Sequence, residues 1–177
     1  HRVIDGTEFG ALTIRKRAVI IAKDGPIQWP QMKVERHTLS EVLLPPDDPR
    51  CEWFHVSDPS KRWIFEHWIR QTDKRNGFAS QQLTLDTAAV QTISKRYFNG
   101  QGDAPIVKDV RPGREGWFRW LTLSEVKAIM GIPAGYELGP AKTLAGHVMG
   151  QGVLVSVFRR IIEAVAPITI QHRRSVA

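Results

Sequence analysis

The chain has 177 residues, long enough for one domain or one and a half and for a real buried core. Its hydrophobic content of 42% is that of a soluble globular protein, with no bilayer-spanning apolar run and no apolar signal region in the opening HRVIDGTEFG. A single cysteine, Cys51, excludes an intramolecular disulfide and leads us to expect a reducing, cytoplasmic setting, while a net charge of +7 makes an anionic partner plausible.

In chain order, EFGALTIRKRAVIIAKDG reads as a loop entering a buried strand. Residues 18–22 form its apolar run, and Asp24-Gly25-Pro26 is its turn. GPIQWPQMKVERH is irregular. The pentapeptide TLSEV follows at 38–42, with Thr38 and Glu41 in T-x-x-E capping spacing and Pro45-Pro46 as a stop. DDPRCEWFHVSDP is turn-rich around a short apolar piece at 53–56. SDPSKRWIFEHWIRQTDKRNG predicts a helix with Asp58 as N-cap, Pro59 at its first position and Gly77 at its end. Ile64, Trp68 and Ile69 share one face of it.

FASQQLTLDTAAVQTISKRYFNGQGDAPIVKD reads as short strands separated by turns. TLSEV recurs at 122–126 and predicts a helix over 122–130, opened by a Thr122–Glu125 capping box and closed by Gly131 and Pro133. AGYELGPAKTLAGH reads as a loop. GQGVLVSVFRRIIEAVAP predicts a helix striped by Val153, Val157, Phe158, Ile161, Ile162 and Val165 and ended by Pro167. The tail ITIQHRRSVA is basic, and a loose segment is expected there. The fold class is therefore α+β, a small mixed domain of short strands and a few helices. The two TLSEV copies share a local capping device, because their flanks match at no fixed period.

No active site is legible from residue chemistry alone. His37, His55, His67, His147 and His172 lack zinc-ligand spacing, so no metal is expected. Cys51 has no local sign of activation, the carboxylates show no catalytic pairing, and the two GQG triplets are too short to be phosphate loops.

Three strings in order change that reading. EFGALTIRKRAVIIA resembles motif VIII of the DNA (cytosine-5) methyltransferases, Y-G-x-P-Q-x-R-x-R and an apolar strand. RWLTLSEVKAIMGIPAGY resembles motif IX, R-x-L-T-x-x-E followed by G-F-P and an aromatic. HVMGQGVLVSVFRRIIEAV resembles motif X, G-N-S/A-V and its helix. Between them, LDTAAVQTISKRYF is similar to the P-x-x-T-I stretch late in the family's target-recognition domain. The family's F-x-G-x-G, P-C-Q and E-N-V strings do not occur in this sequence.

The resemblance implies roles residue by residue. Arg15 and Arg17 match the arginines that serve the flipped cytosine and its flanking phosphate, a task suited to the planar guanidinium fork. Thr13 stands where the family has glutamine and Leu12 where it has proline. Gly150, Gln151, Gly152 and Val153 match the motif X contribution to the methyl-donor pocket, with Gln151 for asparagine and Gly152 for Ser/Ala. Arg119, Thr122 and Glu125 are scaffold residues. DNA reading falls to residues 27–116, where Lys61, Arg62, Arg70, Lys74, Arg75, Lys95, Arg96, Arg111 and Arg114 are candidates for phosphate or guanine contacts.

The implied organisation is residues 1–24 as the motif VIII strand at the edge of a catalytic domain. Residues 25–139 form the target-recognition domain with motif IX, and residues 140–177 hold the motif X loop, the C-terminal helix and a basic tail. The implied function is the DNA-recognition and C-terminal portion of an enzyme that transfers methyl from S-adenosylmethionine to cytosine C5. This chain alone is expected to be inactive. The expected partners are double-stranded DNA, an N-terminal catalytic half and a possible second copy, with no membrane. A free-standing basic DNA-binding module and an unrelated α+β interaction module remain the alternatives.

Overall fold

The computed structural model describes residues 1–22, 24–30, 37–75 and 79–165. Strands β1 (Arg2–Asp5) and β2 (Lys16–Val19) form a two-stranded antiparallel sheet with Val3 opposite Ala18. A 3-10 turn at Gly6–Phe9 joins them, opened by the Asp5 carboxylate accepting from the Thr7 amide at 3.1 Å. The strand predicted at 18–22 thus lies two residues earlier. Ile20 is 82% exposed, so an apolar run alone does not extend the strand where no neighbour pairs with it.

A second sheet has four strands in the order β3 (Trp53–His55), β6 (Trp117–Trp120), β5 (Ile106–Lys108), β4 (Gln82–Leu83). Its pairs are antiparallel except β4 with β5. Because side chains alternate across a strand, the registers place Trp53, Arg119, Val107 and Leu83 in one row. Phe54 and Phe118 pair on the opposite face.

Helix α1 (Arg62–Lys74) covers that second face through Ile64 and Phe65, which pack with Phe54, Ile106 and Phe118. It begins three residues later than predicted, at Arg62 rather than Pro59. The Asp58 carboxylate instead accepts from the amide and hydroxyl of Ser60, which folds 58–61 into a turn. The Gly77 stop lies outside the described residues.

Helix α2 (Leu123–Ile129) is the predicted motif IX helix. The Thr122 hydroxyl accepts from the Glu125 amide, and the Glu125 carboxylate accepts from the Thr122 amide at 2.7 Å. Gly131 follows in the left-handed region, φ +69°, where glycine carries no Cβ penalty. The first TLSEV makes the same capping box but only one 3-10 turn, Leu39–Glu41.

The C-terminal part departs from the predicted loop and single helix. It forms two helices, α3 (Lys142–Gln151) and α4 (Val155–Val165). The α3 face that packs inward is Ala145, Gly146 and Met149, so a single large apolar side chain marks it and hydrophobic periodicity is slight. One large buried cluster draws on both sheets and on α2, α3 and α4, including Ile4, Val19, Leu83, Ile93, Leu121, Val126, Met149, Val157 and Ile161. At about 1.5–3 kcal/mol per buried aliphatic side chain, this cluster is the main stabilising feature. Among the described residues, no helix is long and apolar enough to cross a membrane.

Candidate functional site

The motif VIII and motif X segments meet at Arg15. Its guanidinium is 2% exposed and donates from Nη2 to the Gly152 carbonyl at 2.6 Å and to the Gly150 carbonyl at 2.7 Å. Nε donates to Gly152 at 3.2 Å. These carbonyls lie at the C-terminal end of α3, where a cation is favoured. The contact also explains the break between α3 and α4. With its carbonyl turned to Arg15, Gly152 is extended, and the chain re-enters a helix only at Val155. Burial pulls the Arg15 guanidinium down to about 10, with the charge of Arg17 adding to the effect. Nη1 of Arg15 is buried without a partner among the described residues, and Arg15 lines a small void with Ile4, Arg17, Leu154 and Val157. Arg17 is half-buried, and its Nη1 donates to the Lys16 carbonyl at 2.8 Å. Of the two arginines, Arg17 is the one still open to an external ligand.

The glycines at 146 and 150 lie one turn apart and seat α3 on the turn around Lys95–Phe98. A Cβ at Gly150 would lie 2.2 Å from the Lys95 amide nitrogen, and one at Gly146 would lie 2.9 Å from the Phe98 ring. Chain packing accounts for Gly150, and Arg15 holds the carbonyls of Gly150 and Gly152. Gln151 and Val153 are exposed, so these two of the four candidate cofactor residues remain open at the surface.

Motif IX forms a buried charged unit. Arg119 and Glu125 are each about 1% exposed and pair at 2.7 and 2.8 Å. Glu125 also accepts from the Leu44 amide at 2.8 Å, which ties the end of the first TLSEV segment to the start of the second. The Arg119 guanidinium lies 5.3 Å from the Trp53 ring centroid. Burial pushes the Glu125 carboxyl upward, but the Arg119 and Thr122 hydrogen bonds outweigh it and the net shift is downward.

The basic candidates divide into three groups. Arg62, Arg70 and Lys74 follow one another at i, i+8 and i+12 on the exposed side of α1, with Lys61 and Arg75 at its two ends. Arg62 pairs with Glu66 at 2.8 Å. Lys95 and Arg96 are exposed on the turn that seats Gly150. Arg111 and Arg114 instead grip the buried Asp109. Arg111 binds both of its oxygens and reaches Asp47 at 2.8 Å; Arg114 donates to Asp109 at 3.1 Å and lies 3.9 Å over the Trp117 ring. The Arg111 hydrogen bonds hold the Asp109 carboxyl down to about 2 against desolvation. Asp109 was not singled out from the sequence, although the D-x-R-x-x-R spacing was its signal.

No family model matches the chain. It is 28% identical over 171 residues to the Type II methyltransferase M.MspI of Moraxella sp, covering 94% of this chain and 37% of that protein. Among solved structures it resembles the Entamoeba histolytica methyltransferase EhMeth, with a TM-score of 0.61 at 17% identity, covering 92% of this chain and 51% of that one. It also resembles the Schizosaccharomyces pombe (S. pombe) Dnmt2 methyltransferase, with a TM-score of 0.60 at 14% identity, covering 92% and 55%. The chain spans little more than a third of that curated relative and about half of these structures. The resemblance to cytosine-5 methyltransferases and the α+β fold class are both borne out.

Proposed function

We propose that this relative of the cytosine-5 methyltransferases is the DNA-recognition and C-terminal portion of such an enzyme. The observation that carries the reading is the sequence match to a Type II methyltransferase over 94% of the chain. The direct hydrogen bonds between Arg15 and Gly150–Gly152 support it, since they join the two segments that resemble motifs VIII and X. On this reading residues 1–24 and 140–177 border a catalytic half carried by other residues or another chain, and residues 25–139 recognise double-stranded DNA. A second copy of the chain is a further candidate partner.

The exposed side of α1 is the proposed phosphate-binding surface. Lys95 and Arg96 form a second one, whereas Arg111 and Arg114 hold the recognition domain together around Asp109. Arg17 faces the target nucleotide, and Arg15 fixes the geometry behind it. S-adenosylmethionine, when bound, supplies the methyl group; Gln151 and Val153 would meet its edge. The chain alone performs no methyl transfer. Attack on cytosine C6 needs a thiolate, and burial pushes the Cys51 thiol up, away from that form, while its Sγ lies 3.6 Å from the Pro45 carbonyl.

The test is methyl incorporation into cytosine C5 of DNA, first by the purified chain. The second arm adds the polypeptide, encoded beside it or continuous with it, that carries F-x-G-x-G, P-C-Q and E-N-V. No incorporation in the first arm and robust incorporation in the second are expected. Incorporation by the chain alone that is abolished by Cys51→Ser contradicts the proposal. So does a catalytic polypeptide whose activity is unaffected by this chain.

A further inference from the structure

An open cleft lies at the opposite end of α3 from Gly150, about 12 Å away at 1.5 Å per residue. Its volume of about 590 Å³ is that of a small-molecule site. Phe98 and Trp120 line it, with Lys127 and Lys142 among its cations and Glu52 as its acid. None of these residues is used by the function proposed above.

The aromatic walls are fixed in advance. The Tyr97 ring stands edge-on to Phe98 at 5.1 Å and to Trp120 at 6.1 Å, with interplanar angles of 89° and 86°. Tyr97 is itself locked, donating to the Pro105 carbonyl at 2.9 Å and accepting from the Leu121 amide at 2.8 Å. Phe98 is backed by Gly146 of α3. The half-buried rings therefore offer flat apolar surface at little entropic cost.

The cations are of two kinds. Lys127 Nζ is held by the carbonyls of Ala134 and Tyr136 at 2.7 and 2.6 Å, which leaves one N–H uncommitted. Lys142 is exposed and has no hydrogen bond or ion pair among the described residues. Arg50 also reaches the rim but is held by both oxygens of Asp48. With Arg50 neutralised by Asp48, the two lysines outnumber Glu52 and favour an anionic ligand, and the two rings favour one with a planar aromatic part.

We propose that this cleft binds a nucleoside phosphate. Its base lies against Phe98 and Trp120, its phosphate meets Lys142 and Lys127, and Glu52 accepts from an exocyclic amine of the base. The same chemistry is offered by a free nucleotide and by the 5′-phosphorylated end of a DNA strand.

Calorimetric titration of the full chain with adenosine 5′-monophosphate tests this. Saturable binding is expected, weakened about tenfold or more in Lys142→Glu, a substitution at an exposed helix start that leaves the fold intact by circular dichroism. Adenosine and ribose 5-phosphate should each bind about tenfold more weakly than the complete nucleotide. Displacement by a 5′-phosphorylated trinucleotide assigns the cleft to a strand end, and lack of displacement assigns it to a free nucleotide; either supports the site. No saturable binding at millimolar nucleotide overturns it, as does unchanged affinity in Lys142→Glu.

Discussion

Arg15 and Gly150 stand 135 positions apart in the chain and are joined by a 2.7 Å hydrogen bond. That bond, with the two to Gly152, fastens the N-terminal sheet to the junction of α3 and α4. It turns an arginine expected to face DNA into an internal brace.

Arg15→Ala should cost about 3 kcal/mol, because two buried carbonyls lose a charged donor and a void opens beside Leu154. Arg15→Met should cost less, since it refills the void and removes a buried charge that no carboxylate among the described residues neutralises. Urea unfolding of the three proteins checks this. Equal stability of wild type and Arg15→Ala would show that the brace is not structural.

The Arg119–Glu125 pair should behave as one unit. Glu125→Leu or Arg119→Met alone leaves a buried group uncompensated and should cost about 3–5 kcal/mol. Replacing both together, as Arg119→Met with Glu125→Leu, should cost clearly less than the two single changes combined. Thr122→Ala removes only the cap hydroxyl and should cost about 1 kcal/mol. A double-mutant cycle by denaturant unfolding measures the coupling, and strict additivity is the contradictory result.

The parts of the fold legible in the sequence were those with a local cause. The Thr122–Glu125 box, the Gly131 stop and the existence of α1 follow from residues within one or two turns of each other. The breaks came where distant groups decide. Helix α3 was hidden because its buried face has only one large apolar side chain, Met149, beside Ala145 and Gly146, and the start of α4 is set by Arg15, far away in sequence. At the candidate site, the motif VIII and X strings were legible as an ordered resemblance, and their meeting at Arg15 was not. Which arginine stays free was not, because Asp109 and the Gly150 and Gly152 carbonyls claim their partners only in three dimensions.

Gly150→Ala tests the close approach of α3. The new methyl would lie 2.2 Å from the Lys95 nitrogen, and its three nearest atoms, in Lys95 and Ser94, are all backbone, so the helix must shift. A loss of about 2–4 kcal/mol is expected from overpacking. Gly135→Ala, with nothing within 4 Å of the added carbon, is the control and should be near neutral. Thermal unfolding compares the two, and a neutral Gly150→Ala would refute the packing.

Acid should loosen the region around the four-stranded sheet through Asp109. Its carboxyl is held at about 2 in the folded chain, below the ordinary value of about 3.9, so the folded state binds fewer protons. The stability it contributes is therefore complete above about pH 4 and is lost as pH falls through about 2. Asp109→Asn should lower stability at neutral pH and flatten the acid dependence in that window. An unchanged acid slope in the variant would assign the sensitivity elsewhere.

The central claim, that this chain recognises DNA as part of a methyltransferase, is tested most directly by the salt dependence of its binding to duplex DNA. The account predicts a log–log slope several units steep, becoming about 2 units shallower in Arg70→Gln/Lys74→Gln, with each phosphate contact contributing roughly 0.9. A chain that fails to bind duplex DNA at low salt, or whose slope is the same in the variant, would contradict it.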